Sequence, residues 1–317
     1  MQLDARVGKT TIDSPSRRPR RDGELAFWGF VAPMLLGLLV FTFLPIGWGF
    51  LLSFSRGRQT VALGDWVGLE NYAALLGDAA FRQALGTIVV YAAFIVPTTY
   101  ALALGLALLV NAATRGRAFF RTVFFIPTAV SYVVASLVWK MGIFSSLPYG
   151  AANLVLGLFG GAPIVWIGTA NPPWYWLVLI TVRLWLQVGF YMIIFLAGLQ
   201  EIPRSLYEAA FVDGARPGWA IFHHITLPLL RNTSISVIVL LCIAAFQAFD
   251  EFYNILGGSF ASSGNAILAR PPLVYLYGIA LGQQDYGRGS AGAFILTALI
   301  LLVTLGQARF LGFGRAD

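Results

Sequence analysis

The chain has 317 residues, of which 58% are hydrophobic and only 11% charged, with a net charge of +7 and a mean hydropathy of +0.76. A water-soluble domain of this length has no single core able to hide so much apolar surface, so most of it must face lipid. Cys242 is the only cysteine, which excludes an intrachain disulfide.

Residues 1–24 are polar and basic, carry Pro15 and Pro19, and read as a flexible cytoplasmic tail. Within them Gly8-Lys9-Thr10 matches the end of a phosphate-binding loop. The glycine that such a loop needs five positions earlier is Leu3, and no apolar strand precedes it. The chain therefore shows no nucleotide site or cofactor of its own, and any ATP and magnesium chemistry has to come from a partner.

A single transmembrane domain is expected over 25–317. Long, nearly charge-free runs lie at 25–55, 85–111, 120–142, 174–199, 228–256 and 290–313, each reaching the roughly 20 residues that cross a hydrocarbon core about 30 Å thick. The runs are continuously apolar rather than alternating. In lipid every backbone amide must bond inside its own segment, so these are six helices and the fold class is all-α. The first run is too long for a signal peptide and ends in Ser53-Phe54-Ser55-Arg56-Gly57, not in a small-residue cleavage site, so it is expected to stay attached. Pro33, Pro45 and Pro97 fall inside runs, where proline can kink a helix.

Orientation follows from the basic residues. Six precede the first run, three lie in 112–121, three in 200–231 and two at the C-terminal end; on the other side there are five, and 143–173 has none. The positive-inside rule then puts both termini in the cytoplasm. The positive charge is a matter of topology, and a nucleic-acid reading of Arg17-Arg18-Pro19-Arg20-Arg21 is set aside.

The polar segment between the fourth and fifth runs, 200–231, reads as two short helices at an angle. Ser205 and Glu208 have capping-box spacing. The helix they start is expected to run through Asp213 and stop at Gly214, the residue type that takes a left-handed turn at least cost. Pro217 can open a second short helix through about His223, and Pro228 can start the fifth span. His223 and His224 are adjacent, which points them about 100° apart, and neither has a Cys or His at metal-ligand spacing, so they read as packing residues. Within the spans, Arg183, Gln187 and Tyr191 recur every fourth residue of the fourth helix. Gln247, Asp250 or Glu251, and Asn254 do the same on the fifth, with Phe190 and Phe249 beside them. Charges in hydrocarbon are expensive, so these stripes are expected to face the bundle interior, either lining a substrate pathway or pairing across helices.

Glu208-Ala209-Ala210, Asp213-Gly214-Ala215, Phe222 and Leu227-Pro228 closely resemble the EAA loop of permease subunits of binding-protein-dependent ABC importers. The resemblance extends through Trp185, Gly189-Phe190, Met192 to Gln200 and Ile202-Pro203, to Pro127 with Trp139, to Gly150 and Asn153, and to Phe246-Gln247-Ala248-Phe249-Asp250. It covers about 25–313 and is nearest the carbohydrate branch, the maltose and glycerol-phosphate type. It departs at Leu256-Gly257-Gly258-Ser259-Phe260, where that branch more often has a Thr-rich GGP segment. The resemblance implies a bacterial inner-membrane subunit that carries out no bond chemistry. Its implied partners are a second similar permease, two ATPase subunits gripped through the 200–227 loop, an extracytoplasmic solute-binding protein and a sugar or glycerol phosphate compound. It implies alternating access, with Glu208, Ala209, Ala210, Asp213, Gly214, Ala215, Phe222, Leu227 and Pro228 coupling to the ATPase.

Two rivals differ in kind. An ion-gradient-driven secondary transporter is expected to show paired broken helices in an inverted repeat, and no repeat is evident between the halves. A membrane-embedded enzyme using Glu208, Asp213 and the two histidines lacks any pocket signature around that loop.

Overall fold

The computed structural model describes residues 21–113, 115–216, 218–257 and 269–311, and the side chains of 27–309 within those ranges. The basic tail before Arg21, Pro217 and Gly258-Ser259-Phe260 lie outside the described residues. The chain divides at Gly49 and Phe50 into two units. Every regular element among the described residues is a helix.

The first unit is helical. Helix α1, Arg21–Leu38, contains Pro33 and passes through a π-helical turn, Leu39–Phe43, into α2, Leu44–Ser53. Pro45 has no amide to offer the preceding turn, and the widened turn sits directly before it.

The second unit, from Phe50 at the end of α2, continues with α3, Glu70–Gly77, and α4, Ala79–Ala112. Along α4 the residues Phe81, Ala84, Ile88, Tyr91 and Ile95 are buried at spacings of three and four, the stripe of a helix packed on one side. From Ile88 onward that stripe packs with α8, Tyr175–Glu201, and α12, Arg231–Phe246. Lipid tails are as apolar as leucine, so close backbone approach and polar links, rather than transfer from water, hold such helices together. One link is the Tyr100 hydroxyl, which donates to Ser234 Oγ at 2.9 Å. Another is close contact at Gly189 of α8, where an added Cβ would overlap the Phe124 carbonyl oxygen.

Two spans depart from the continuous helices expected from the sequence. The third is split into Arg117–Ala129 and Tyr132–Ile143, bent by 89°. Helix α5, Arg117–Phe125, ends in a 3-10 turn containing Pro127, and Val130 and Ser131 are extended before α6, Tyr132–Leu137. Proline cannot continue the amide ladder, which puts the corner here. The fifth run breaks between α12 and α13, Asp250–Leu256, at Gln247 to Phe249. Among the described residues five helices are long and apolar enough to cross a membrane, or six if the bent pair counts as one span.

Between the third and fourth spans, α7, Ala151–Leu158, packs around Asn153. Its Nδ2 donates to the carbonyls of Ser145, Leu147 and Ile164, and its Oδ1 accepts from Ile164 N and Trp166 Nε1. One buried amide thus organises the whole loop. After α14, Pro272–Tyr277, the last described element is α15, Tyr286–Leu311, where Gln307 Nε2 donates to Cys242 Sγ at 2.6 Å.

Candidate functional site: the broken fifth span and the coupling segment

A helix broken inside a membrane frees carbonyls that lipid cannot satisfy. Here the Ala245 carbonyl accepts from the Ala248 amide at 3.2 Å, and the Ala244 carbonyl is met by a cation from another helix. Arg183 of α8 donates through Nη2 to the Ala244 carbonyl, in the last turn of α12, at 2.6 Å. Its Nη1 donates to Glu251 Oε1, in the first turn of α13, at 2.8 Å. One guanidinium therefore spans the break, and its planar fork suits two acceptors at once. The two acidic residues of the first α13 turn, Asp250 and Glu251, also sit where a helix N-terminus favours negative charge. At the far end of α13, Lys140 Nζ donates to the Asn254 carbonyl at 3.1 Å.

The Tyr91 hydroxyl donates to Glu251 Oε1 at 3.0 Å, and the Tyr132 ring lies 5.4 Å from the Arg183 guanidinium carbon. Glu251 Oε2 and Arg183 Nε are buried without a hydrogen-bond partner among the described residues. A buried pair of this kind is not a large source of stability in itself, but losing one partner strands a charge.

Arg183, Tyr191 and Glu251 are buried, Gln187 and Asn254 half-buried, and Gln247, Asp250 and Phe190 exposed. The expectation that Gln247, Asp250 and Asn254 share one stripe of a regular helix fails, because the break resets the helical phase between Gln247 and Asp250. Gln247 and Asp250 do not turn into the core of this chain. Phe249 stacks on Tyr253 with ring centres 5.1 Å apart and approaches Tyr277 at 5.3 Å.

The segment between the fourth and fifth spans, the candidate coupling segment, begins with α9, Arg204–Val212. The capping box is not formed. Ile202 and Pro203 are extended, Pro203 is the residue before the helix, and no side chain caps it. Proline's fixed φ starts the helix at Arg204, which leaves Ser205 and Glu208 inside it with Glu208 exposed. The other end is built as expected. Gly214 has φ of +86°, its amide donates to the Phe211 carbonyl, and the Ala215 amide donates to the Ala210 carbonyl at 2.9 Å. These two bonds form a Schellman cap. Ala209, Ala210, Asp213, Gly214 and Ala215 therefore have a structural task that their spacing already specifies.

Past Gly218 a second helical stretch starts at Trp219 as α10, Trp219–Ile221, widens to a π-helical turn at Phe222–Thr226 and closes with α11, Leu227–Leu229. It runs almost without interruption into α12, so Pro228 lies before the fifth span rather than at its first residue. The Tyr207 hydroxyl and Thr226 Oγ1 lie 3.2 Å apart and join the two arms. His224 Nδ1 is 2.9 Å from the Ala220 carbonyl, and His223 stacks on Trp219. Val212 is 88% exposed and Trp219 76%. Their apolar surfaces extend from the projecting segment.

The family model of the binding-protein-dependent transport system inner membrane component matches residues 99–311. The chain belongs to that family. Relatives include the trehalose/maltose transport system permease protein MalF of Thermococcus litoralis, 32% identical over 290 residues, covering 92% of this chain and 94% of that one. The arabinooligosaccharides transport system permease protein AraP of Bacillus subtilis is 33% identical, covering 87% and 85% of the two chains. A chain of a bacterial ABC transporter involved in alginate import shares the fold, with a TM-score of 0.80 at 21% identity over 93% of this chain and 97% of that one.

In this permease the sequence pointed to Arg183 and Glu251, but not to two groups that complete their surroundings, nor to Lys140 at the far end of α13. Tyr91 and Tyr132 look like ordinary span residues, and only the fold brings them to the pair. Lys140 carried a usable signal, since a lysine at the edge of an apolar run needs an acceptor.

Proposed function

We propose that this permease is the transmembrane subunit of an ATP-driven importer of a sugar or sugar-like solute: a disaccharide, an oligosaccharide or a glycerol phosphate compound. Its coupling segment docks on a separate ATPase, a second similar permease completes the pathway, and a solute-binding protein delivers the cargo on the opposite face. Both termini then lie in the cytoplasm, on the side with more basic residues.

The observation that carries this reading is the capped, exposed coupling segment. A helix closed by the Gly214 turn, with Glu208 exposed beside the apolar Val212 and Trp219, has the makings of an anchor for a partner groove. The sugar class is supported by relatives named for trehalose, maltose and arabinooligosaccharides. When ATP closes the ATPase pair, the coupling segment moves with it. The arm from Trp219 to Leu229 passes that motion to the fifth span, whose break is bridged by Arg183. Gln187, Tyr191, Gln247, Phe249, Asp250 and Asn254 offer hydrogen bonds and aromatic faces of the kind that hold sugars, with Phe190 beside them, and Arg183 and Glu251 frame that route.

Glu208→Lys and Gly214→Val test the coupling. Both variants are expected in the membrane at normal level, with ATPase association and substrate-stimulated hydrolysis lost. Normal association in both sinks the assignment. Alanine at Gln187, Tyr191 and Gln247 is expected to reduce uptake while assembly and basal hydrolysis persist; unchanged uptake kinetics remove these faces from the route.

A further inference from the structure

A cavity of about 1430 Å3 opens where α4, α8, α9 and the 218–226 stretch meet, at the end of the spans that bears the coupling segment. It is larger than the roughly 300–1,000 Å3 of an ordinary small-molecule site. Its two parts differ in chemistry. Ala101, Leu104, Gly105 and Leu108, at spacings of three, one and three along α4, form an apolar wall that reaches into the span. The mouth carries Arg117, Arg204, Asn111 and Gln200, and among the described residues no acidic side chain lines the cavity.

Arg117 is held at the mouth by its Nη2, which donates to the Asn111 carbonyl at 2.5 Å. Neither Arg117 nor Arg204 has a carboxylate partner among the described residues. On α9, Arg204, Tyr207 and Phe211 share the face that lines the cavity, while Glu208 lies outside the lining.

We propose that this cavity binds one anionic phospholipid of the adjoining leaflet, its phosphate held by Arg117 and Arg204 and one acyl chain lying along the α4 wall. Two cations beside a phosphate and an apolar wall behind it match both halves of such a molecule. A soluble phosphate compound would leave the α4 stripe in water. A peptide segment would bring backbone amides to a wall that offers them no partner. The lipid braces α9 from its membrane side, with Glu208 left free to face a partner.

The test uses the full-length permease, delipidated in detergent and titrated with phosphatidylglycerol, phosphatidylcholine or glycerol 1-phosphate under native mass spectrometry. One phosphatidylglycerol per chain is expected to bind tightly. The Arg117→Gln/Arg204→Gln variant is expected to bind it about thirtyfold more weakly, and Arg121→Gln, outside the lining, is expected to leave binding unchanged. Gly105→Phe provides an independent arm. An added Cβ there meets no atom within 4 Å, so the ring can fill the wall and exclude the acyl chain without an unfolding shift in a thermal melt. Equal binding of phosphatidylcholine overturns the proposal, as does wild-type binding by both the double arginine variant and Gly105→Phe. Displacement of the lipid by equimolar glycerol 1-phosphate identifies a soluble-anion site and overturns it as well.

Discussion

Arg183 on α8 and Glu251 on α13 meet at 2.8 Å, with 7% and 0% of their side chains exposed, so an ion pair stands inside the bundle beside the break in the fifth span. The same guanidinium holds the Ala244 carbonyl. The fourth helix thus serves as a splint across the discontinuity of the fifth.

Removing one member strands the other. Arg183→Met and Glu251→Gln are each expected to destabilise the folded permease by about 3–5 kcal/mol, because each leaves a buried charge without its counter-charge. Arg183→Met is the more severe, since it also frees the Ala244 carbonyl. Combining Arg183→Met with Glu251→Gln is expected to lose clearly less than the two single losses together, measured by thermal unfolding in detergent as a double-mutant cycle. Additive losses would show that the two charges do not act as a pair.

Close helix approach is tested at a glycine. A Cβ on Gly189 runs into the Phe124 carbonyl, whereas one on Gly105 meets nothing within 4 Å. Gly189→Ala is expected to destabilise by about 1–3 kcal/mol through overpacking. Gly105→Ala is expected to be neutral, or stabilising by about 0.5–1 kcal/mol from the backbone freedom it removes in the unfolded chain. Equal melting shifts in the two variants would refute the contact of α5 with α8 at this point.

Acid sensitivity is expected at the start of α4. The Tyr275 hydroxyl donates to Asp78 Oδ2, and the Ala80 amide donates to Oδ1 at 2.8 Å. The bond from Tyr275 holds the Asp78 carboxyl below its ordinary value of 3.8 despite the opposing effect of burial. Burial, with the same bond, pushes the Tyr275 phenol up. A carboxylate with a depressed folded value contributes stability above its unfolded value and loses it as pH falls through the folded one. Tyr275→Phe is therefore expected to melt below wild type at neutral pH, with the gap closing as the buffer is taken down through the carboxylate range. A gap that stays constant through the acid range would remove Asp78 as its source.

Topology is open to a labelling experiment. Cys242 is buried beside Gln307, and with Cys242→Ala as background, Ala170→Cys and Arg216→Cys each place one thiol at an exposed position. An impermeant maleimide added to intact cells is expected to label Ala170→Cys and to leave Arg216→Cys unreacted until the cells are opened. The reverse pattern would invert the orientation and detach the coupling segment from a cytoplasmic ATPase.

Membrane residence and the helical class, with five or six spans, were legible in the amino-acid sequence, because crossing lipid demands about 20 contiguous apolar residues and backbone bonds closed within the segment. The end of α9 was equally legible: the Gly214 and Ala215 amides close it by bonding carbonyls three and five positions back respectively, a matter of local geometry. Its start was not, since Ser205 and Glu208 had the spacing of a capping box while Pro203 set the first turn two residues earlier. An apolar run states a length; it does not state where the helix within it breaks. A break survives in lipid only if donors from elsewhere reach the freed carbonyls, and at this break the donor from another helix is Arg183. That Arg183 takes Glu251 rather than Asp250, that Tyr91 joins them, and that the third span turns by 89° after Pro127 were decided by the packing of the spans. These depend on contacts between residues far apart in the chain, which spacing along one helix cannot encode.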